Sequence, residues 1–185
     1  MGSARFVFLD RDGTLVADTG FPHRLEDYEL LPGVLGALAE LRDAGFRFAI
    51  VTNQSGIGRG IFRREDYDRF HGRVLDDLSA AGIEIEATYM CPHAPSDACT
   101  CRKPSPTSLF AARDRFGVDL ASSWMIGDHV QDVALAANAG CRGILLLTGH
   151  GVEESRRLDD TPVEAILPDL AAAAAHILSV SGSRA

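Results

Sequence analysis

The chain has 185 residues, 46% of them hydrophobic and 24% charged, which is the balance of one globular domain with a sizeable core. Eighteen Lys and Arg against 26 Asp and Glu leave a net charge of −8, which argues against a general nucleic-acid binder but leaves room for a small anionic substrate at a locally positive site. No run is long and apolar enough to span a membrane, and Met1 to Phe6 runs into a strand-like segment without the layout of a signal peptide, so a cytoplasmic protein is expected.

Phe6 to Leu9 reads as a strand buried on both faces. Pro32 opens a helix at the favoured first-turn position, with Val34, Leu35, Leu38 and Leu41 on one face and Gly45 as its left-handed stop. Phe46 to Val51 is a second strand, ending at Thr52. A helix from about Arg64 to Ala81 turns Tyr67, Phe70, Val74 and Leu78 inward and stops at Gly82. Ile83 to Met90 holds a third strand, ending at Cys91. Ser105 or Thr107 starts a helix stopped by Gly117. Trp124 to Ile126 is a fourth strand, followed by a helix over Gln131 to Ala139 that Gly140 stops. Gly143 to Leu147 is a fifth strand, and a last helix covers Leu170 to Leu178 ahead of a frayed tail, Ser179 to Ala185.

Strands separated by helices predict an α/β, Rossmann-like fold: a three-layer sandwich with a central parallel sheet. Nothing in the composition splits the chain, so residues 1–185 are expected to form a single domain. In such sheets ligands bind at the carboxyl ends of the strands, and the chemically distinctive residues follow the ends of the first four.

The first group is Asp10-Arg11-Asp12-Gly13-Thr14-Leu15. Two carboxylates this close repel, so a cation is needed to keep both useful. One can attack phosphorus while the other moves a proton. An Asp-x-Asp-Gly turn alone is common, but this chain adds Thr52-Asn53-Gln54-Ser55 after the second strand, Cys101-Arg102-Lys103-Pro104 before a helix, and Gly127-Asp128-His129-Val130-Gln131-Asp132 after the fourth strand.

These four blocks, in this order, resemble the motifs of the haloacid-dehalogenase-like (HAD) phosphatases. The resemblance implies that Asp10 is the nucleophile and forms an aspartyl-phosphate. It implies that Asp12 protonates the leaving oxygen and then deprotonates the attacking water. Thr52 and Lys103 would hold the transferring phosphoryl oxygens. Asp10, Asp128 and the main-chain carbonyl of Asp12 would bind a catalytic Mg2+. Phosphoryl transfer is mostly positioning and charge neutralisation, which suits such a set. Three roles stay open for Asp132: binding the ion through water, orienting Lys103, or beginning a helix.

Cys91-Pro92-His93 and Cys99-Thr100-Cys101 place three thiols and an imidazole in one short loop, 91–101. Such a set makes a closed tetrahedral Zn2+ site, which is structural. Zinc would order the segment that carries Lys103. The fourth cysteine, Cys141, reads as a small buried hydrophobe.

The cysteine loop and the Cys101 to Pro104 block resemble, within the superfamily, the branch of heptose-bisphosphate and histidinol-phosphate phosphatases. The run Thr52 to Gly60 (TNQSGIGRG), continuing to Phe62, is similar to the heptose-bisphosphate members. The resemblance then implies release of the 7-phosphate of D-glycero-D-manno-heptose 1,7-bisphosphate, on the route to nucleotide-activated heptose. Histidinol phosphate or another small phosphomonoester is the alternative substrate, and a non-catalytic phospho-ligand binder is a further one. Asp18, Gly20 and Phe21 would form a loop over the sugar, with Asn53, Gln54 and Ser55 lining the site. Arg102 would grip the distal phosphate. Arg59 is a second anion contact or a mobile loop residue. His129 stands where some members carry Lys, and reads either as a substrate contact or as a solvent-facing first-turn residue. No insertion is long enough for a separate cap domain. The expected partner is a small phosphosugar, with no nucleic acid or membrane, and the protein is expected to be a monomer.

Overall fold

A computed structural model describes residues 4–182. Six strands form one parallel sheet in the order β3-β2-β1-β4-β5-β6: β1 (Phe6–Leu9), β2 (Arg47–Asn53), β3 (Ile85–Cys91), β4 (Trp124–Gly127), β5 (Arg142–Leu146) and β6 (Ala165–Leu167). The helices are α1 (Val34–Asp43), α2 (Ser55–Gly58), α3 (Arg64–Ala80), α4 (Thr107–Phe116), α5 (Val130–Ala139), α6 (Gly151–Glu154) and α7 (Leu170–Gly182).

The strand sequences explain the layers. In β1, Val7 and Leu9 join one core cluster with Leu38 and Leu41 of α1, Phe70 and Val74 of α3 and Ile177 of α7. Phe6 and Phe8 face the other way, onto Leu109 of α4 and Leu135 of α5. The same alternation splits Trp124 and Ile126 from Met125 in β4. A strand covered on both faces must be apolar throughout, and β1 is. Burying each of these large side chains contributes roughly 1.5–3 kcal/mol. Cys141 packs against the second cluster and donates its S–H to the Ser123 carbonyl at 3.0 Å.

Three expectations are corrected. Helix α1 begins at Val34, because Gly33 sits at φ +80° and breaks the helical path after Pro32. Strand β6 is not expected from the sequence; it is apolar but only three residues long, with none of them buried, which is too short a run to read. Helix α7 runs on to Gly182, so Ser179 to Gly182 are helical and not a frayed tail. Leu178 and Val180 pack against the core and so extend it. Residues 183–185 lie outside the described residues.

Among the described residues all six strands fall in this one sheet, with no second sheet to form a cap. No helix among them is long and apolar enough to cross a membrane. The neighbours β1 and β4 lead to opposite ends of the strand order, so their carboxyl ends form the crevice where such sheets bind ligands.

Candidate active site

That crevice holds a cavity of about 420 Å³. Asp10 lines it from the end of β1, Thr52 and Asn53 from the end of β2, and Asp128 from the end of β4. Lys103 enters from the segment before α4, and His150 from the segment after β5.

Asp10 and Lys103 are the electrostatic centre. The Lys103 ammonium lies 2.9 Å from Asp10 Oδ1 and 2.7 Å from Asp132 Oδ1, and donates to the Val51 carbonyl at 3.0 Å. Lys103 is 4% exposed and Asp132 is fully buried, so solvent screens these pairs little. The Arg11 amide donates to Asp10 Oδ1 at 2.7 Å. Burial raises Asp10 to about 7, against the pull of Lys103 and with a push from Asp132 and Asp12. Burial and the nearby Asp10 and Asp132 raise Asp128 to about 8. Burial works against the charged form of Lys103, but the two carboxylates outweigh it and hold the pKa of the ammonium well above the ordinary lysine value.

Asp10, Asp128 and Asp132 bring carboxylate oxygens within 4.8 Å of one another. One lysine cannot balance three buried carboxylates, and their mutual repulsion adds to the burial that chiefly raises Asp10 and Asp128. An oxygen-only, electron-rich set of this kind fits a hard divalent cation. Asp132 Oδ1 is taken by Lys103, and its Oδ2 accepts the His129 N–H at 3.1 Å. Asp10 and Asp128 therefore have more freedom to ligate. The backbone is cut to fit them. Gly13 sits at φ +78°, and a Cβ there would overlap the Asp128 carboxylate.

Asp12 is held separately. Arg11 is fully buried and grips it at two points, Nε to Oδ1 at 2.6 Å and Nη2 to Oδ2 at 2.9 Å. Gln54 Nε2 donates to Asp12 Oδ2 and to Thr52 Oγ1, both at 2.8 Å.

Asn53 fixes the lysine segment. Its Oδ1 accepts the Lys103 N–H at 3.1 Å, and its amide nitrogen lies 3.4 Å from the Lys103 carbonyl and 3.2 Å from Gln131 Oε1. Just upstream the four loop ligands converge. Cys91 Sγ lies 3.1 Å from Cys101 Sγ and 3.8 Å from Cys99 Sγ. His93 Nδ1 lies 3.2 Å from Cys101 Sγ and 3.6 Å from Cys91 Sγ. A tetrahedral ion with Zn–S near 2.3 Å separates its ligand atoms by about 3.5–3.8 Å, so the set is close to the right size. Burial and the neighbouring Cys101 thiol push Cys91 up to about 12, the state that a bound cation reverses.

A model of the HAD-hydrolase-like family matches residues 100–173. The D-glycero-beta-D-manno-heptose-1,7-bisphosphate 7-phosphatase of Yersinia pestis is 39% identical over 155 residues, spanning 79% of this chain and 82% of that protein. The chain belongs to the HAD-like hydrolases. A probable D-glycero-D-manno-heptose-1,7-bisphosphate 7-phosphatase of Thermoplasma acidophilum is 43% identical over 72% of this chain and 84% of its own. Among solved structures, D,D-heptose 1,7-bisphosphate phosphatase from B. bronchiseptica, complexed with magnesium and phosphate, superposes with a TM-score of 0.87. It is 35% identical, over 95% of this chain and 99% of that one.

In this HAD-like hydrolase the cavity gathers most of the residues expected from sequence. Asp18, Gly20, Phe21, Ser55, Arg102 and His129 line it beside the central group. Arg59 does not line it; its guanidinium lies over the Phe21 ring, 5.6 Å from the centroid, at the rim. Phe21 itself sits at φ +61°. His129 caps α5, with Nδ1 3.0 Å from the Glu154 carboxylate and 3.3 Å from the Gln131 nitrogen. Two further residues line it without a signal in the sequence to mark them, Gln131 and His150. His150 donates its backbone N–H to Asp128 Oδ2 at 2.8 Å, and its ring meets Asp18 at 3.2 Å. Leu147-Thr148-Gly149 carries the chain there, but the sequence gives no sign that the next residue turns inward.

Proposed function

We propose that this hydrolase releases the 7-phosphate of D-glycero-D-manno-heptose 1,7-bisphosphate. The observation that carries the reading is the Asp10–Lys103 pair at the base of an open cavity that Arg102 also lines. One cation serves the reacting phosphoryl group, and a second is available to the distal phosphate. The names of the similar phosphatases support the substrate.

Asp10, Asp128 and the main-chain carbonyl of Asp12 would hold Mg2+. When bound, that ion neutralises charge on the phosphoryl oxygens and on the two carboxylates. The rest is done by the chain. Asp10 Oδ1 accepts from Lys103 and the Arg11 amide. Asp10 attacks phosphorus, the bond from phosphorus to the C7 oxygen breaks, and Asp12 gives that oxygen a proton. Asp12 then takes a proton from water as the water attacks the aspartyl-phosphate. Inorganic phosphate leaves and Asp10 is restored. Lys103 and Thr52 hold the transferring oxygens, and Asp132 and Asn53 hold Lys103. The four-ligand loop would bind Zn2+ and fix the backbone that leads into Arg102 and Lys103. Residues 1–185 would act as a single cytoplasmic domain, as a monomer, on a small phosphosugar.

The test is phosphate release, with Mg2+, from the α and β anomers of the heptose bisphosphate and from histidinol phosphate. Preference for one bisphosphate anomer, lost in Asp10→Asn, is expected. Preference for histidinol phosphate would overturn the substrate assignment.

A further inference from the structure

Arg11 is a cation with no exposure at all, buried beside the catalytic centre. Its guanidinium lies over the rings of Tyr67 at 5.2 Å and Phe70 at 4.8 Å. Arg11 Nη2 also donates to the Pro22 carbonyl at 3.0 Å and to Gln54 Oε1 at 3.2 Å. Burying a charge this deeply is costly unless it is paired and hydrogen-bonded. The buried partner here is Arg11, while Asp12, which it grips, reaches the cavity. The cradle therefore points to a use for the pair.

The lone pairs of Asp12 show what the use is. Each carboxylate oxygen accepts two hydrogen bonds. Both positions on Oδ2 are filled, by Arg11 Nη2 at 2.9 Å and Gln54 Nε2 at 2.8 Å. One position on Oδ1 is filled, by Arg11 Nε at 2.6 Å. A guanidinium has no acceptor, and Gln54 turns its amide nitrogen to Asp12 because its oxygen already accepts from Arg11. A proton on Asp12 has one place to sit, the second lone pair of Oδ1. Asp12 lines the cavity, with 17% of its side chain exposed.

We propose that Arg11, with Gln54 as its brace, is a positioning residue for Asp12: it fixes the carboxyl plane and confines the transferable proton to one lone pair of Oδ1. The guanidinium fork suits this task, since its two N–H groups set a plane that an ammonium cannot. The proposal rests on the reading of Asp12 as the acid that protonates the leaving oxygen.

A positioned acid matters most when the leaving oxygen is basic. The experiment compares kcat/KM for the sugar bisphosphate, an alkyl phosphate, with that for 4-nitrophenyl phosphate, whose phenolate leaves without a proton. Wild type, Asp12→Asn, Arg11→Met and Arg11→Lys are measured, with thermal melts as the folding check. General acids contribute about 10²–10⁴-fold. Arg11→Met is expected to lose at least roughly tenfold more on the sugar phosphate than on the aryl phosphate, as a fraction of that contribution. Arg11→Lys, which keeps the charge between the rings, is expected to show the same bias, and it decides the matter if Arg11→Met does not fold. Equal losses on both substrates in Arg11→Lys, alongside a biased loss in Asp12→Asn, would overturn the role of Arg11. An unbiased loss in Asp12→Asn would instead overturn the acid reading on which the proposal stands.

Discussion

Lys103 Nζ lies 2.7 Å from Asp132, so the cation that faces Asp10 is itself held by a fully buried carboxylate. Asp132 in turn is anchored by the His129 N–H at the start of α5. Of the three roles that the sequence leaves open for Asp132, the geometry supports two at once, orienting Lys103 through Oδ1 and closing the start of α5 through Oδ2. Replacing an outer-shell partner that orients a metal ligand typically costs about 10–100-fold, and Asp132 holds Lys103 in a comparable way. Asp132→Asn should lower kcat by about that factor, with a smaller change in KM. Steady-state kinetics on the heptose bisphosphate measures this, and an unchanged kcat would show that Lys103 needs no such support.

The crowded carboxylates make stability depend on pH and on magnesium. Asp10 is raised to about 7 and Asp128 to about 8, from an ordinary 3.8, chiefly by burial. A carboxyl raised on folding binds more protons in the native state than in the unfolded one between those values. Its contribution is fully present below about pH 4 and is lost as pH rises toward 8. The metal-free protein should therefore melt at progressively lower temperature across that range, and added Mg2+ should raise the melting temperature more at pH 8 than at pH 6. Melting curves with and without Mg2+ check this; a gain independent of pH would contradict it.

Gly13 bears on the same ion. A side chain there needs φ +78° and would run into Asp128. Gly13→Ala is expected to cost about 1–3 kcal/mol of stability from backbone strain and to weaken Mg2+ activation. Thermal melts and a Mg2+ titration of activity test the two effects separately.

Zinc removal should act at a distance. The cysteine loop is tied to the site by backbone bonds, Gln54 N–H to the Cys91 carbonyl at 2.7 Å and Gly58 N–H to the Pro92 carbonyl at 2.8 Å. It leads directly into Arg102 and Lys103. Chelation, or Cys99→Ser, should lower kcat by loosening Lys103 while Mg2+ still binds. Full activity in a sample shown by elemental analysis to be free of zinc would contradict the role given to the loop.

Much of this architecture is legible in the chain because its signals are local. Phe6 to Leu9 is an unbroken apolar run ending at Asp10, and Gly45, Gly82, Gly117 and Gly140 punctuate the helices at left-handed positions. The site residues follow strand ends, where a parallel sheet puts them. What could not be read depends on contacts between distant parts of the chain. Asn53 reads as a lining residue, yet its amide is spent on the Lys103 main chain, 50 positions away. Gln54 likewise spends its amide on Arg11, Asp12 and Thr52. Arg11 reads as a turn residue, and only the rings of Tyr67 and Phe70 reveal that it is buried. Strand β6 is fixed by its pairing with β5 rather than by its own three residues.

The covalent step is the centre of the account. Acid quench during turnover of the heptose bisphosphate, followed by mass spectrometry of the proteolytic peptides, tests it most directly. A phosphoryl adduct on the peptide carrying Asp10, present during turnover, gone when substrate is exhausted and missing in Asp10→Asn, is the predicted result. Sustained turnover with no adduct, or an adduct on another residue, would contradict the assignment of Asp10 as the nucleophile.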